Sequence, residues 1–324
     1  MHSLRNAMLL SATLIAAMTA GCSAAGTSST PSGPTRAVTV FAGSGCNSGN
    51  GNIASFAATA TGNVAPATNI TSASLFDPCH LGAGPNSTLW VANCSKKTVM
   101  EFGPGATGTA APLVTLSGAN TTFNCPAGIV VDATGKIYVA DQNTKQVDIF
   151  TTGSSGNVAP ATIIGGAATL MNEPEQIAVD KSGDIFLADF TSASILEFGA
   201  GASGNMAPLH TIAGGLTTMG DPYGVALDSA GNLYVADFNN SILVFAAGAT
   251  GNVAPTRSIA GANTLLSSPS DIDVDALGFI YVANRGNNAV LVFGPTASGN
   301  VAPVQNISGL GTTLVTDTSG LAIR

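Results

Sequence analysis

Apolar residues along this chain come in runs of about five, separated by short segments rich in Gly, Asn, Asp and Ser. Residues 128–165 show the unit: GIVVD, the turn ATG, KIYVAD, the turn QNTK, QVDIF, the loop TTGSSGNVA, and PATIIG. Each run is rich in Val, Ile, Tyr and Phe, is bounded by turn formers, and is too short for a helix, so the unit predicts four β-strands. The first turn has its own signature. Asp132, Asp180, Asp228 and Asp275 are followed three residues later by Gly135, Gly183, Gly231 and Gly278. That is the chemistry of a hairpin turn closing on a residue at positive φ.

The pattern repeats. TGNVAP or a close variant ends at Pro66, Pro112, Pro160, Pro208, Pro255 and Pro303, at spacings of 46, 48, 48, 47 and 48 residues. Four strands per period, six times, predict an all-β fold: a six-bladed β-propeller of four-stranded blades. Apolar residues in fixed register supply the packing between blades. Ile70, Leu116, Ile164, Ile212, Ile259 and Ile307 follow each Pro by four, and Leu75, Phe123, Met171, Met219, Leu266 and Val315 stand three before each first strand. The Gly-rich stretch itself is read as the loop from strand 3 to strand 4, a structural part. Inside the chain only five first strands open, at Pro78, Pro126, Pro174, Pro222 and Pro269, while second strands number six, beginning at Val38. The sixth first strand is Thr318–Arg324, which aligns with Pro222–Asp228, so the C-terminal strand is predicted to pair with the N-terminal strands and close the ring.

Segments such as DPYGVALDSAGNLYVADFNNSILVF, residues 221–245, resemble NHL repeats, and the resemblance covers 37–324. It implies a propeller. NHL-type propellers include binding scaffolds, metal-dependent lactonases and lyases, so the resemblance leaves function open.

Before this body, Arg5 precedes an apolar run from Ala7 to Ala17 and small residues lead to Cys22, which reads as an export signal over residues 1–21. Thr19-Ala20-Gly21-Cys22 resembles the lipobox of bacterial lipoprotein signal peptides, although Leu usually stands where Thr19 does. The resemblance implies lipidation of Cys22 and a cell-envelope location on a bacterial membrane; secretion after cleavage nearby is the alternative. Residues 22–36, rich in Ser, Gly, Pro and Thr, read as a flexible linker. Removal of residues 1–21 takes away Arg5 and no acid, leaving 9 basic side chains against 18 acidic, scattered rather than clustered. That balance excludes nucleic acid as a partner.

Four cysteines remain in a chain expected to meet an oxidising compartment. Cys46 and Cys94 fall after second strands, and Cys79 and Cys125 flank the openings at Pro78 and Pro126. Four cysteines allow three connectivities. The repeat favours Cys46–Cys79 and Cys94–Cys125, one relation shifted by a blade, against four unpaired core residues.

Candidate chemistry lies where blades differ. After the strand 1 opening stand Cys79-His80, Ala127-Gly128, Glu175-Gln176, Tyr223-Gly224 and Ser270-Asp271; directly after strand 2 stand Gln142, Phe190, Phe238 and Arg285. In a propeller the strand 4–1 and 2–3 connections share a face. His80, Gln142, Glu175, Gln176, Phe190, Tyr223, Phe238, Asp271 and Arg285 are therefore the candidate ligand-binding set, with a solvated, ligand-free rim as the competing reading. Asp141, Asp189 and Asp237, with Asn93 and Asn284 in the same column, are read as holding their own following turns rather than a metal. His210 lies on an outermost strand, away from the channel. No cofactor or catalytic residue is implied. The expected function is a binding or interaction module for a protein, peptide or small molecule. An NHL-like metal-dependent lyase or lactonase is the alternative, and an envelope spacer is a third reading.

Overall fold

The computed structural model describes residues 36–324 apart from 38, 47, 48 and 50. The export signal, Cys22 and the linker up to residue 35 lie outside the described residues. The described residues form six four-stranded antiparallel sheets arranged as the blades of a propeller. Blade 2, for example, runs from inside to outside through Pro78–Ala83, Leu89–Asn93, Thr98–Phe102 and Val114–Leu116. Blades 3 to 6 open with the innermost strands Pro126–Val131, Pro174–Val179, Pro222–Leu227 and Pro269–Val274. Blade 1 takes its innermost strand from the other end of the chain: Thr318–Ile323 pairs with Thr39–Ser44, with Val40 opposite Ile323 and Ala42 opposite Leu321. This is the closure that the repeat count predicts.

The core lies between the blades. The outer-strand column from Ile70 to Ile307 is buried throughout, as are Phe56, Phe102, Phe150, Phe198, Phe245 and Phe293, at or next to the ends of the third strands. Each such ring buried contributes roughly 2 kcal/mol, so the apolar register holds the ring together. One column departs from expectation. Val315 is 51% exposed, and its neighbour Leu314 fills the core slot instead, because the chain slips by one residue before the closing strand. Position 148 departs differently. Asp148 is fully buried where blades 2, 4, 5 and 6 carry Met100, Leu196, Leu243 and Leu291.

The Gly-rich motif does more than link strands 3 and 4. In each copy its Gly adopts positive φ (Gly62, Gly108, Gly156, Gly204, Gly251 and Gly299) and pairs with the outer strand of the preceding blade. Gly156 N–H donates to Thr115 O at 2.8 Å, and its carbonyl accepts from Ser117 N at 3.1 Å. The next residue completes the clasp: Asn157 Oδ1 accepts from Asn120 N at 2.8 Å, at the start of a 3-10 turn in the preceding blade. Asn205, Asn252, Asn300 and Asn63 repeat this contact. Blade 2 has Thr109 in that place, and the outer strand of blade 1, which it faces, is followed by a plain turn. Gly62 clasps Ile307, so blade 1 holds blade 6 in the same way. Arg36, at the end of the expected linker, is seated: its guanidinium lies 4.2 Å from the Phe279 ring, and Nε donates to Tyr281 Oη at 3.2 Å.

Candidate functional site

Two residues into each innermost strand the blades alternate. His80, Gln176 and Asp271 occupy this level in blades 2, 4 and 6; Gly128, Gly224 and Gly320 occupy it in blades 3, 5 and 1. The glycines are required by space. A Cβ on Gly128 would overlap the Glu175 carbonyl oxygen, and one on Gly224 would lie 2.8 Å from Asp271 Cα. The three large side chains, all buried, meet across the axis. Gln176 Oε1 accepts from Ile129 N at 3.1 Å and Ile177 N at 3.0 Å, while Nε2 donates to Asp271 Oδ1 at 3.2 Å. Asp271 also accepts from Ile272 N at 2.9 Å and Leu321 N at 2.8 Å, and His80 Nδ1 lies 3.2 Å from its Oδ2. A carboxylate and an amide thus replace missing sheet hydrogen bonds between blades, and the channel is plugged at this level. On the side of the strand 1–2 turns a cavity of about 210 Å³ remains, ringed by Leu81, Ile129, Ile177, Val225, Ile272 and Leu321. Asp273 also lines it, its carboxyl pushed up to about 7 by burial and by the charges of Asp271 and Asp275.

On the other side lies the rim formed by the strand 4–1 and 2–3 connections. There the residue after strand 2 of one blade meets the strand 1 opening of the next, and the pairs are complementary. Cys46–Cys79 and Cys94–Cys125 are disulfides, as the repeat favours. Between blades 3 and 4, Gln142 Nε2 donates to Glu175 Oε1 at 2.5 Å and Glu173 Oε1 at 3.1 Å. Between blades 4 and 5, Phe190 meets Tyr223 edge-on with centroids 5.7 Å apart. Between blades 6 and 1, Arg285 Nε pairs with Asp317 Oδ1 at 3.3 Å.

These joints merge into one network. Tyr223 stacks on His80 at 5.6 Å and on Phe238 at 5.5 Å, and Arg285 lies 5.9 Å from the Phe238 ring centroid. Seven of the nine candidate side chains are connected through these contacts, from the plug at His80, Gln176 and Asp271 to the partly exposed rim residues Phe190, Tyr223, Phe238 and Arg285, and the Gln142–Glu175 pair joins them where Glu175 meets Tyr223. Glu175 is buried beside Glu173, and burial followed by that charge pushes its carboxyl up to about 8, against the Gln142 and Tyr223 hydrogen bonds and the Arg285 charge. Burial therefore favours its protonated form. Burial and the neighbouring Glu175 also raise the Tyr223 hydroxyl, which stays protonated.

Sequence reasoning missed Glu173 and Asp317 as rim partners. Both stand just before a first strand, in the column that yielded Cys125. The Asp and Asn column is more than a set of turn holders: Asp141 accepts from Thr144 N in its own turn at 3.1 Å but also from Asn124 N at 2.7 Å, in the preceding strand 4–1 loop. Asp189 and Asp237 do the same, so the column pins the rim. His210 lies on the outermost strand His210–Ala213, 3.2 Å from Glu197 Oε2. Among the described residues no group of three His, Cys, Asp or Glu side chains is placed to share a metal ion.

Two segments, 123–150 and 266–293, match the NHL repeat. They span the inner strands of blades 3 and 6. No curated protein matches the chain. Among solved structures, a protein of unknown function from Bacteroides caccae superposes with a TM-score of 0.65 at 11% identity, over 89% of this chain and 99% of that one. A chain of a nidogen/laminin complex gives 0.62 at 13% identity, over 88% and 98%. A putative 6-phosphogluconolactonase from Bacteroides uniformis gives 0.57 at 16%, over 89% and 85%. At such identities the likeness is one of fold.

Proposed function

We propose that this NHL-repeat propeller is an exported, lipid-anchored binding module whose ligand face carries the strand 4–1 and 2–3 loops. The observation that carries the reading is the contrast between two parts of the ring. The clasps repeat nearly unchanged from blade to blade, whereas the rim places half-exposed Phe190, Tyr223 and Phe238 beside amide, carboxyl and guanidinium groups in one connected patch. Mixed aromatic and polar surface of this kind suits a protein, peptide or small-molecule ligand. Export is supported by the signal-like N-terminus and by two disulfides, which persist in oxidising compartments. The anchor at Cys22 is tested by detergent partition: wild type should enter the detergent phase and Cys22→Ser should not, since acyl chains supply the membrane affinity.

The ligand face is tested by a thermal-shift panel of amino acids, sugars, small carboxylates and lactones on wild type, Phe190→Ala and Leu209→Ala. Leu209 is an exposed residue beside the outer strand of blade 4. Hits should survive Leu209→Ala and be lost in Phe190→Ala. Hits that ignore both substitutions would place binding elsewhere, and turnover of a lactone abolished by a chelator would replace the binding reading with the enzymatic one.

A further inference from the structure

We propose that the joint between blades 5 and 6 binds a small carboxylate with an apolar body, held by Arg285 and Phe238. The inference rests on this face being the ligand face, and it adds a place and a chemistry. Five of the six rim joints among the described residues are filled by complementary pairs: two disulfides, an amide on two carboxyls, two aromatic rings and an ion pair. At the remaining joint the counterpart of Phe238 is Ser268, too short to cover the ring. A cavity of about 470 Å³ opens there, lined by Phe238, Ser268, Arg285, Asn288, Val315 and Asp317 among others. That size suits a small molecule.

The backbone is also different at this joint. In blades 3, 4 and 5 the residue after strand 2 donates to the carbonyl just before the strand 1 proline: Gln142 to Cys125, Phe190 to Glu173, and Phe238 to Asp221. In blade 6 the bond moves one residue, to Gly286 N and Ser267 O. Ser268 adopts φ of 48°, and Asp317, which reaches the cavity from the next joint, φ of 41°, whereas their counterparts Asp77, Cys125, Glu173 and Asp221 do not have positive φ. Non-glycine residues in that region store strain, and such strain gathers where a ligand is held. The separate one-residue slip before the closing strand exposes Val315 as an apolar wall of the cavity.

Arg285 sets the ligand chemistry. Asp317 takes Nε and the Phe238 ring centroid lies 5.9 Å from the guanidinium, and these two contacts position it. Nη1 and Nη2 have no acceptor among the described residues. Two donors on a planar fork match the two oxygens of a carboxylate. The half-exposed Phe238 ring and Val315 take the apolar body, and Asp317 disfavours a second negative charge.

Calorimetry and saturation-transfer NMR on the full-length chain, with phenylacetate, phenylacetamide and phenethylamine as probes, test this. Phenylacetate should bind, with the amide and the amine weaker by about tenfold or more, because only the carboxylate pairs with the fork. Arg285→Gln should weaken phenylacetate by about tenfold, the loss of a charge-assisted pair, at an unchanged circular dichroism spectrum. Ser268→Phe fills the cavity and should block binding even if the Arg285 variant folds poorly. Equal binding of acid and amide, binding unaffected by both substitutions, or no binding of phenylacetate would overturn the inference. Binding that survives both substitutions but is lost in Tyr223→Ala would place the ligand at the axial mouth, which leaves the ligand face standing and this site refuted.

Discussion

Replacing Gly224 by Ala tests the alternating layer that plugs the channel. Gly224 does not adopt positive φ, so the backbone itself tolerates alanine and only space is at issue. The new Cβ would lie 2.8 Å from Asp271 Cα, 3.0 Å from Ser270 O and 3.1 Å from Ile272 N, all of them backbone atoms of the adjoining blade. Restoring ordinary contact at about 3.5 Å or more moves one innermost strand against the other by roughly 0.7 Å. That shift stretches the hydrogen bond that Asp271 accepts from Leu321 N on the closing strand. Overpacking of this kind costs about 1–3 kcal/mol, and for a body of this size about 2 kcal/mol lowers Tm by roughly 3 °C. The series is graded. Gly128→Ala, with the tightest approach, should be worse, and Gly82→Ala, 3.2 Å from Ile129 O, milder. Gly215→Ala, exposed, without positive φ and with no heavy atom within 4 Å, should melt like wild type or slightly higher. Thermal melts followed by circular dichroism read the order directly. If Gly224→Ala and Gly128→Ala melt with Gly215→Ala, the plug is not packed as described and the reasoning fails.

Deleting residues 318–324 removes the innermost strand of blade 1 and the Leu321 and Ile323 amides that Asp271 and Asp273 accept from, so the whole body should lose cooperative unfolding; an unchanged melt would refute the closure. Burial, with the Asp141 charge adding to it, pushes the Asp148 carboxyl from 3.8 up to about 7 despite the Thr122 and Gln146 hydrogen bonds. Its folded-state value lies above its unfolded one, so its stabilising contribution is complete below about pH 4 and lost as pH rises through about 7. Asp148→Leu, the residue other blades use there, should remove that loss and raise stability at pH 8 by on the order of 2 kcal/mol; urea melts at pH 5 and 8 that keep the wild-type difference would sink the idea. Asn157→Ala removes a clasp contact to Asn120 N and should cost about 1 kcal/mol in urea denaturation, whereas Thr109→Ala, where the clasp lacks its Asn, should cost less.

Blade number, strand content, ring closure and both cysteine pairs were legible because each is a property of one repeat compared with the next. What the repeat hides is how neighbours interlock. The pairs at the strand 1 openings were visible, but that Gly128 makes room for Gln176 becomes plain only when two blades are set side by side. The clasp escaped for the same reason: Gly156 and Thr115 are 41 residues apart in different blades, and nothing local links them. The Val315 column failed because a fixed period cannot register a one-residue slip, and that slip lies at the cavity between blades 5 and 6. The candidate residues converge as expected, yet most of them also couple blades, a role that residue type alone does not distinguish from ligand binding.

The direction of the clasp orders the making of the molecule. Each blade's outer strand is gripped by the blade that follows it in the chain, so during synthesis the newest blade always carries unpaired outer-strand groups until its successor arrives. Blade 6 has no successor, and its grip comes from Gly62 in blade 1, made long before. Blade 1 in turn waits with an open inner edge until Thr318–Ile323, made after the strands of all the other blades, pairs with it. Two strands far apart in the chain therefore complete one another, and the ring locks only after Thr318–Ile323 has been made.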